Sequence, residues 1–476
     1  MRSPRHAHLR SRRRRANRPG YVPAEVLEER TLLSSVTFGS VFGVGSAGNK
    51  DMARGAAADN SGNRFVTGNF SGTVNFNPIA DPNGTNPGDT LTSLGSSDAF
   101  VALYNSNNSL VWVQQIGSAQ GDKIQIDASD NVYVTGTFSG SNVEFGTSNV
   151  YLNSANGGTF VAKLNSSGVF QWANNGGGNG VGVDSSGNVY ALQETSSGGY
   201  TIAKFSSTGG ADWSESIATN ALYPYGGLAV NASGNVVVGG DFTGTVNFNP
   251  SGRADNVSSG PGYAGFVLDL NTNGNLQWVS PFVAENSSAY SNVLSVAQYG
   301  SGDIAVAGQY AGSVNFNPGR GVTTLPTIGG GYITELNSSG GLVWAEALQR
   351  GSTSGTVAPW GLAVDSAGNI YAAGSFGFST IALDPADPSE TWSSGGVGGN
   401  IFVVELSSAG TFGWGTSIEG SGGDVAFGIA VDTSGNVDVV GYYENTVNFN
   451  PNPNGPPDDM TANGVADIFV LQLQQS

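Results

Sequence analysis

From residue 35 onward, short apolar runs alternate with polar turns in a pattern that recurs along the chain. The apolar run 361–364 leads into the turn Asp365-Ser366-Ala367-Gly368-Asn369 and then into a second apolar run over 370–374. An Asp can cap the backbone of its own turn and Gly supplies a positive φ, so the pattern predicts two strands joined by a tight hairpin. The turn recurs on average about every 62 residues, which indicates stacked supersecondary units. Its seven copies begin at Asp59, Asp127, Asp184, Asn231, Tyr299, Asp365 and Asp432.

Two more strands follow each hairpin. The third strand covers 99–103, 160–164, 201–205, 266–270, 332–336, 402–406 and 469–473, and the fourth carries Trp112, Trp172, Trp213, Trp278, Trp344 or Trp414. In the seventh repeat no fourth strand follows residue 473. Residues 36–42 match such a strand, with Phe38 in the Trp position. The pattern therefore predicts an all-β fold: a seven-bladed β-propeller of four-stranded antiparallel blades. An N-terminal strand would close the ring by completing the last blade, which leaves few exposed strand edges.

Several of the repeated segments resemble a known family. Residues 130–136 read D-N-V-Y-V-T-G, residues 70–78 F-S-G-T-V-N-F-N-P, residues 98–102 D-A-F-V-A and residues 110–112 L-V-W. This combination is similar to the SBBP β-propeller repeat of bacterial surface proteins, over nearly all of residues 36–473. The third repeat departs from the family pattern because it is short and lacks the F-N-P loop, and the sixth because I-A-L-D-P replaces that loop. The resemblance implies a propeller of a bacterial surface.

Residues 1–34 differ from the rest of the chain. Residues 1–30 hold nine Arg and three Glu, so we predict a targeting segment, disordered or removed, ahead of a propeller domain over residues 35–476. A nucleic-acid-binding arm is the alternative. The apolar stretch of a standard secretory signal does not follow the basic region. However, L-E-E-R-T-L-L-S over 27–34 is similar to the LEPR-XLL segment of exported planctomycete-type proteins, with Glu29 in place of Pro. That similarity implies an exported protein, extracellular or associated with the cell envelope.

Composition and charge exclude several classes of function. The 476 residues include no Cys, and His occurs only at His6 and His8, so the propeller domain has no thiolate or imidazole for catalysis or zinc binding. Residues 31–476 carry a net charge of −24, which disfavours nucleic acids and acidic membranes as partners. No apolar run approaches the roughly 20 residues of a membrane span. We expect a monomer. The 73 Gly are explained largely by the turns of the repeats.

The candidate ligand-binding residues follow from the position of the first strand in each repeat. Five residues before each hairpin turn, this strand begins near the expected central channel, and the seven positions are Arg54, Asp122, Asn179, Gly226, Leu294, Trp360 and Phe427. We predict that Arg54, Asp122, Asn179, Trp360 and Phe427, together with Tyr225, contact a ligand. Trp360 and Tyr225 would stack on a sugar or, alternatively, only cover the mouth of the channel.

Two further motifs lie in the loops. V-N-F-N-P occurs at 74–78, 246–250, 314–318 and 447–451; its Asn groups could bind a ligand, but packing of Phe and turn formation by Asn and Pro is the favoured interpretation. Calcium is the one cofactor considered, since several loop carboxylates could coordinate it. They lack the D-x-D-x-D-G spacing, so solvated charge is favoured and no metal ligand is assigned. These carboxylates are Asp81, Asp89, Asp255, Asp384, Asp387, Asp458 and Asp459.

The function predicted from the sequence is binding without catalysis. Strand alternation brings the long loops 79–97, 384–400 and 450–464 to one face, and variable loops on a rigid scaffold commonly bind partners. We expect this face to bind a protein or glycan at the cell surface or matrix. No catalytic or cofactor-binding residue is predicted. The alternatives are a carboxylate-dependent glycan-active enzyme, which needs two opposed carboxylates, and a purely structural surface protein.

Overall fold

The computed structural model describes residues 36–475 with short gaps, and the predicted targeting segment, residues 1–34, lies outside the described residues. The gaps are residues 148, 196–197, 219–225, 301, 318–320, 352–354, 378–379, 388, 390, 395–397 and 453–454. The described residues contain strands and no helix, and the sheets pair antiparallel almost throughout. The all-β, antiparallel part of the fold prediction is therefore confirmed.

The strands follow one another at short intervals along the chain. They begin with β1 (Val36–Val44), β2 (Met52–Ala58), β3 (Arg64–Phe70), β4 (Thr73–Asn75), β5 (Thr90–Thr92), β6 (Asp98–Tyr104), β7 (Leu110–Ile116), β8 (Ala119–Ile126), β9 (Val132–Glu144), β10 (Tyr151–Leu164) and β11 (Phe170–Asn175). They continue with β12 (Gly180–Val183), β13 (Val189–Thr195), β14 (Gly199–Phe205), β15 (Ala211–Ala218), β16 (Leu228–Val230), β17 (Val236–Asn247), β18 (Asn256–Leu270), β19 (Leu276–Ala284), β20 (Tyr290–Tyr299), β21 (Asp303–Ala311), β22 (Val314–Asn315), β23 (Gly330–Leu336) and β24 (Leu342–Arg350). They end with β25 (Thr356–Val364), β26 (Ile370–Gly377), β27 (Thr380–Ala382), β28 (Trp392–Ser393), β29 (Gly399–Leu406), β30 (Phe412–Gly420), β31 (Val425–Val431), β32 (Val437–Tyr443), β33 (Thr446–Asn448), β34 (Asp459–Thr461) and β35 (Asp467–Gln475).

The long strands pair with their neighbours in groups of four, which we call sets. In order, the sets are β2-β3-β6-β7, β8-β9-β10-β11, β12-β13-β14-β15, β16-β17-β18-β19, β20-β21-β23-β24, β25-β26-β29-β30 and β31-β32-β35-β1. The first strands contact one another from set to set: β2 contacts β8, and the contacts continue through β12, β16, β20, β25 and β31, which contacts β2. The short strands form hairpins or extend the outer edges, as where β22 pairs with β19.

The last set takes its fourth strand from the beginning of the chain. β1 pairs with β35 from Val36 opposite Gln475 to Val44 opposite Ile468, with a bulge between Phe38 and Ser40. This register corrects the prediction that Phe38 holds the Trp position. In the other sets the residue at the position of Gln472 faces the Trp, as Lys163 faces Trp172, whereas Gln472 faces Ser40. Ser40 therefore holds the Trp position, and Phe38 holds the apolar position two residues earlier.

The hairpin turns have the predicted chemistry. The Asp59 carboxylate accepts hydrogen bonds from the backbone N–H groups of Ser61 and Asn63, and its second oxygen accepts one from the Asn63 side chain. The fourth turn residue has a positive φ in every copy, including Asp130 at 58°, where a Gly occupies the other turns. The same side-chain bonds recur in the turns that begin at Asp127, Asp184, Asp365 and Asp432.

The Trp side chains connect neighbouring sets. Five of the six fourth-strand Trp residues donate the indole N–H to a backbone carbonyl in the turn between the third and fourth strands of the following set, as Trp112 Nε1 does to Ser166 O at 3.1 Å. Trp172, Trp213, Trp278 and Trp344 repeat the bond at 3.0 to 3.2 Å. The Trp414 indole N–H is buried and has no hydrogen-bond partner in the described part of the chain. The reason is topological: β35 and β1 come from opposite parts of the chain, so no turn joins them.

Two buried carboxyl groups make stability depend on pH. Asp269 in β18 and Asp424, just before β31, are buried, and one oxygen of each lacks a hydrogen-bond partner among the described residues. Burial raises the pKa of each carboxyl group to about 7. An unfolded Asp has a pKa of about 3.9, so between about pH 4 and pH 7 the folded chain binds more protons than the unfolded chain. The free energy of unfolding therefore falls as the pH rises through this window.

We expect the variant Asp269→Asn/Asp424→Asn to lose most of this pH dependence. Between about pH 4.5 and pH 8 the wild type should lose on the order of 3 kcal/mol of unfolding free energy through each of these two groups, since one unit of pKa difference corresponds to about 1.4 kcal/mol. Urea denaturation at each pH measures the loss. Asp255→Asn, which changes an exposed carboxylate, is the control and should keep the wild-type slope. Equal slopes in the double variant and the wild type would contradict this assignment.

Candidate functional site

A cavity of about 500 Å³ opens where the first strands begin. Five of the six predicted ligand-binding residues lie on its wall, namely Arg54, Asp122, Asn179, Trp360 and Phe427. The sixth, Tyr225, lies outside the described residues. Seven lining residues were not among the predicted ligand contacts: Gln120, Lys123, Thr137, Gly178, Glu194, Gly226 and Leu294.

The predicted residues reach the cavity because most of them sit at β-bulges. The pairing register of the first strand shifts at Arg54, Asp122, Trp360 and Phe427, so each is an extra residue without a partner opposite it. A bulge bends the strand locally and redirects a side chain. Here the four bulged residues all line the cavity. The sequence identified the positions by their distance from the hairpin turn, but it contained no clear signal for the bulge itself.

One side of the cavity carries a short network of polar groups. The Gln120 side-chain amide donates to Asp122 Oδ1 at 2.7 Å, and Arg54 Nη2 donates to Gln120 Oε1 at 3.4 Å. Arg54 Nε lies 3.9 Å from Asp122 Oδ1. Burial raises the pKa of Asp122, although the Gln120 hydrogen bond and the Arg54 charge oppose the shift, and burial lowers the pKa of Lys123. These fixed donors and acceptors can orient a polar ligand.

A second part of the cavity wall is aromatic. The rings of Trp360 and Phe427 lie 5.9 Å apart between centroids, and the Trp360 indole N–H donates to Ser375 Oγ at 3.3 Å. The Arg54 guanidinium carbon lies 5.4 Å from the centre of the Phe427 ring. The predicted cation and the predicted aromatic residues are thus in contact. Aromatic rings beside polar groups suit a ligand with apolar and hydroxylated surfaces.

The aromatic side continues beyond the cavity to residues that the sequence prediction missed. The Tyr442 ring lies 6.0 Å from the Phe427 ring, and Lys50 Nζ lies 4.0 Å from the centre of the Tyr442 ring. Lys50 Nζ also lies 3.7 Å from a carboxylate oxygen of Glu444. Tyr442 is the first of two consecutive Tyr residues in β32, of which Tyr443 is buried and Tyr442 half-buried. Strand alternation placed them on opposite faces, but the sequence alone does not identify which face meets the cavity.

Beneath the cavity the space narrows to a second cavity of about 150 Å³, lined by Arg54, Lys123 and the backbone of the first strands. Glycines let those strands approach closely; a Cβ added at Gly428 would lie 2.8 Å from the backbone nitrogen of Ala56. A ligand larger than a few atoms therefore rests in the wider cavity.

The V-N-F-N-P motifs have the favoured packing role. The Phe of each motif is buried: Phe76, Phe248, Phe316 and Phe449. Three of them pack against a Phe in the third strand of their own set, and Phe316 packs against Phe282 of β19. The first Asn shapes the turn, as where the Asn75 side-chain oxygen accepts from the Asn77 backbone N–H.

The calcium hypothesis gains no clustered site. Among the described residues, no group of three or more His, Cys, Asp or Glu side chains could hold a metal ion. The Asp81 carboxylate instead accepts hydrogen bonds from Thr85 Oγ1 and the Asn86 backbone N–H of its own loop.

In the described part of the chain, no helix is long and apolar enough to cross a membrane.

Comparisons with known proteins identify no family for this chain. No family model matches the sequence, and no curated protein matches it. Three similar solved structures are the Dos1 propeller (8% identity, 92% of this chain and 95% of that chain, TM-score 0.43), the β-propeller domain of the Trilobed protease from Pyrococcus furiosus (8%, 90% and 94%, 0.41) and a catalytically inactive virginiamycin B lyase from Staphylococcus aureus with quinupristin (7%, 91% and 99%, 0.41). These TM-scores are too low to support an argument about this chain. Its own four-stranded antiparallel sets, whose first strands contact one another, have the topology of a β-propeller.

Proposed function

We propose that this chain is an exported, non-catalytic β-propeller of seven blades that binds a glycan or protein partner at the cell surface or matrix. Each set is one blade, and β1 closes the ring by completing the last blade. Two observations support this closure: β1 pairs with β35, and the contacts between first strands return from β31 to β2. Residues 1–34 act as the targeting segment, and the propeller over residues 35–476 acts as a monomer of the SBBP type.

The cavity carries the proposal of binding. Residues from several different repeats meet there, and they combine fixed hydrogen-bonding groups with aromatic rings. Repeats that differ at these positions but share their turns point to a specific site on a common scaffold. A purely structural surface protein has no need for such a site.

A glycan-active enzyme is the second candidate, and one observation favours it. Asp122 and Glu194 line the same cavity, and burial raises the pKa of both carboxyl groups. Glycoside hydrolysis uses two carboxyl groups, one of them protonated to act as the acid. Binding remains the better-supported function because Asp122 already accepts a hydrogen bond from Gln120 and lies beside Arg54, which is typical of a positioned binding group.

We expect the variant Trp360→Ala to weaken ligand binding at least tenfold, because it removes the largest aromatic surface of the cavity. The measurement is an array screen of glycans and bacterial surface proteins with the full chain, followed by titration of the strongest binder. Tyr151→Ala is the matched control, since Tyr151 is an exposed ring outside the cavity. Binding by the wild type that survives unchanged in Trp360→Ala would move the site elsewhere. Turnover of a glycoside that is lost in both Asp122→Asn and Glu194→Gln would establish the enzyme instead.

A further inference from the structure

Three aromatic rings form a row that begins in the cavity and leaves it. Trp360 contacts Phe427 at 5.9 Å and Phe427 contacts Tyr442 at 6.0 Å between centroids, with planes inclined by 59° and 41°. The rings belong to β25, β31 and β32, so two neighbouring blades supply them. The spacing is close to the length of one sugar residue in an extended chain. The inclination suits a glycan whose successive rings are rotated against one another.

The exposure of the row leaves part of each ring accessible to a ligand. All three rings are half-buried, as are Trp112 and other Trp residues that connect neighbouring sets, whereas rings such as Phe469 are fully buried. Polar groups accompany the row: Asp122 and Gln120 line the same cavity as Trp360 and Phe427, and Lys50 lies beside Tyr442 and Glu444. A sugar presents apolar C–H faces to such rings and hydroxyl groups to such flanking groups.

The charges along the row favour a neutral ligand. Each cation lies beside a carboxylate, as Arg54 lies beside Asp122 and Lys50 beside Glu444, so the row offers no excess positive charge to an acidic sugar. Residues 31–476 carry a net charge of −24, which repels anionic polymers. Arg54 lies over one face of the Phe427 ring and Lys50 over one face of the Tyr442 ring, which disfavours a cationic ligand, so a sugar would have to stack on the other face of each ring.

We infer that Trp360, Phe427 and Tyr442 are successive stacking positions for a neutral oligosaccharide of three or more sugar residues. The inference rests on the binding function proposed above and names its ligand class. Trp360 and Phe427 hold the sugar residues in the cavity, and Tyr442 holds the chain where it leaves the cavity.

Calorimetric titration of the full chain tests the inference. The probes are neutral hexose and pentose oligosaccharides of one to six residues, and uronic-acid oligosaccharides of the same lengths. Affinity for the neutral series should rise in steps up to at least three residues, by roughly five- to tenfold per added stacking contact. It should change less than about twofold between low and high salt, since screening acts on charged pairs. Tighter binding of the uronic-acid series would overturn the assignment of a neutral ligand.

The variant Tyr442→Ala separates the row from the cavity. It should lose roughly tenfold in affinity for trisaccharides and longer chains while keeping the wild-type affinity for mono- and disaccharides. Tyr442→Phe keeps the ring and should restore the affinity, and Tyr151→Ala is the control for removal of an exposed ring. Equal losses for short and long probes in Tyr442→Ala, without rescue by Tyr442→Phe, would reduce Tyr442 to a structural residue.

The outcomes distinguish this inference from the proposed function. If the wild type binds a surface protein and no neutral saccharide, and Trp360→Ala abolishes that binding, the function stands and the oligosaccharide is wrong. If the wild type binds neither class of probe, both fail.

Discussion

Deleting residues 35–45 is expected to unfold the propeller or to lower its melting temperature sharply. The deletion removes β1, so β35 is left with an unpaired edge and the last set with three strands. It also removes Phe42 and Val44, which are 3% and 2% exposed, and Phe42 packs on Tyr104 of the first set at 4.8 Å between centroids. Removing a buried Phe side chain alone costs about 3 to 5 kcal/mol. The total loss therefore rivals the entire stability of an ordinary domain, about 5 to 15 kcal/mol.

Thermal melting followed by circular dichroism measures the effect. Phe42→Ala should give an intermediate loss, and Val111→Ala, at an exposed position of β7, should change little. Deletion of residues 1–34 alone should leave the melting temperature unchanged. A synthetic peptide of residues 35–45 added to the shortened chain should restore part of the lost stability, because it can pair with β35. An unchanged melting temperature after deletion of residues 35–45 would refute closure by β1.

Local signals explain which parts of the fold were predictable. The hairpin turns depend on an Asp, a Gly and an Asn within five residues, so the sequence alone identifies them, and the strands on either side follow. The β1–β35 register was not predictable to the residue. The register shift between Phe38 and Ser40 recurs at the equivalent position of the other six sets. However, β1 has no Trp to mark that position, so the local sequence alone does not fix the alignment of Phe38 and Ser40.

The candidate site was also predictable only in part. Arg54, Asp122, Asn179, Trp360 and Phe427 share one repeat position, so periodicity alone brought them together, and the structure places them on one cavity wall. Their role in binding stays a prediction. Tyr442 was missed because it belongs to a different strand of the repeat and becomes part of the row only through contact with Phe427. Glu194 was missed because it also belongs to a different strand of the repeat, β13. Contacts between residues of different strands depend on packing, and a single sequence without an alignment does not show which residues pack together.

The boundary between the last and the first set contains a buried ion pair. Arg64 Nε in β3 donates to Asp438 Oδ1 in β32 at 2.6 Å, and their side chains are 3% and 2% exposed. The Gln472 side-chain amide also donates to Asp438, and Arg64 bonds the Asn108 side chain in a turn of the first set. The other repeats carry apolar or aromatic residues at both positions; the second repeat, for example, has Val132 and Tyr133. Among the repeats, this ion pair is thus confined to the boundary between the first and the last set.

This position suggests that the pair serves specificity. An unpaired Arg64 or Asp438 is costly to bury, so the first set is stable only against the last set and not against an inner set that offers an apolar surface. The pair therefore favours correct closure over pairing of the first set with the wrong neighbour. Since the desolvation of two charges offsets much of their attraction, its net contribution to stability is smaller than the cost of breaking it.

Replacing one partner is accordingly expected to destabilise the protein by about 3 to 5 kcal/mol, because the remaining charge stays buried without its counterpart. Urea denaturation of Asp438→Ala and Arg64→Ala measures this loss. Asp212→Ala is the control: its ion pair with Lys204 spans 3.4 Å, but Asp212 is 56% exposed, so the loss should stay within about 1 kcal/mol. The double variant Arg64→Val/Asp438→Tyr installs the residues of the second repeat and should be more stable than either single variant. If the double variant is as stable as the wild type but refolds with more aggregated or dimeric product, the pair acts on the specificity of closure. If the single variants lose no more stability than Asp212→Ala does, the pair contributes neither to stability nor to specificity.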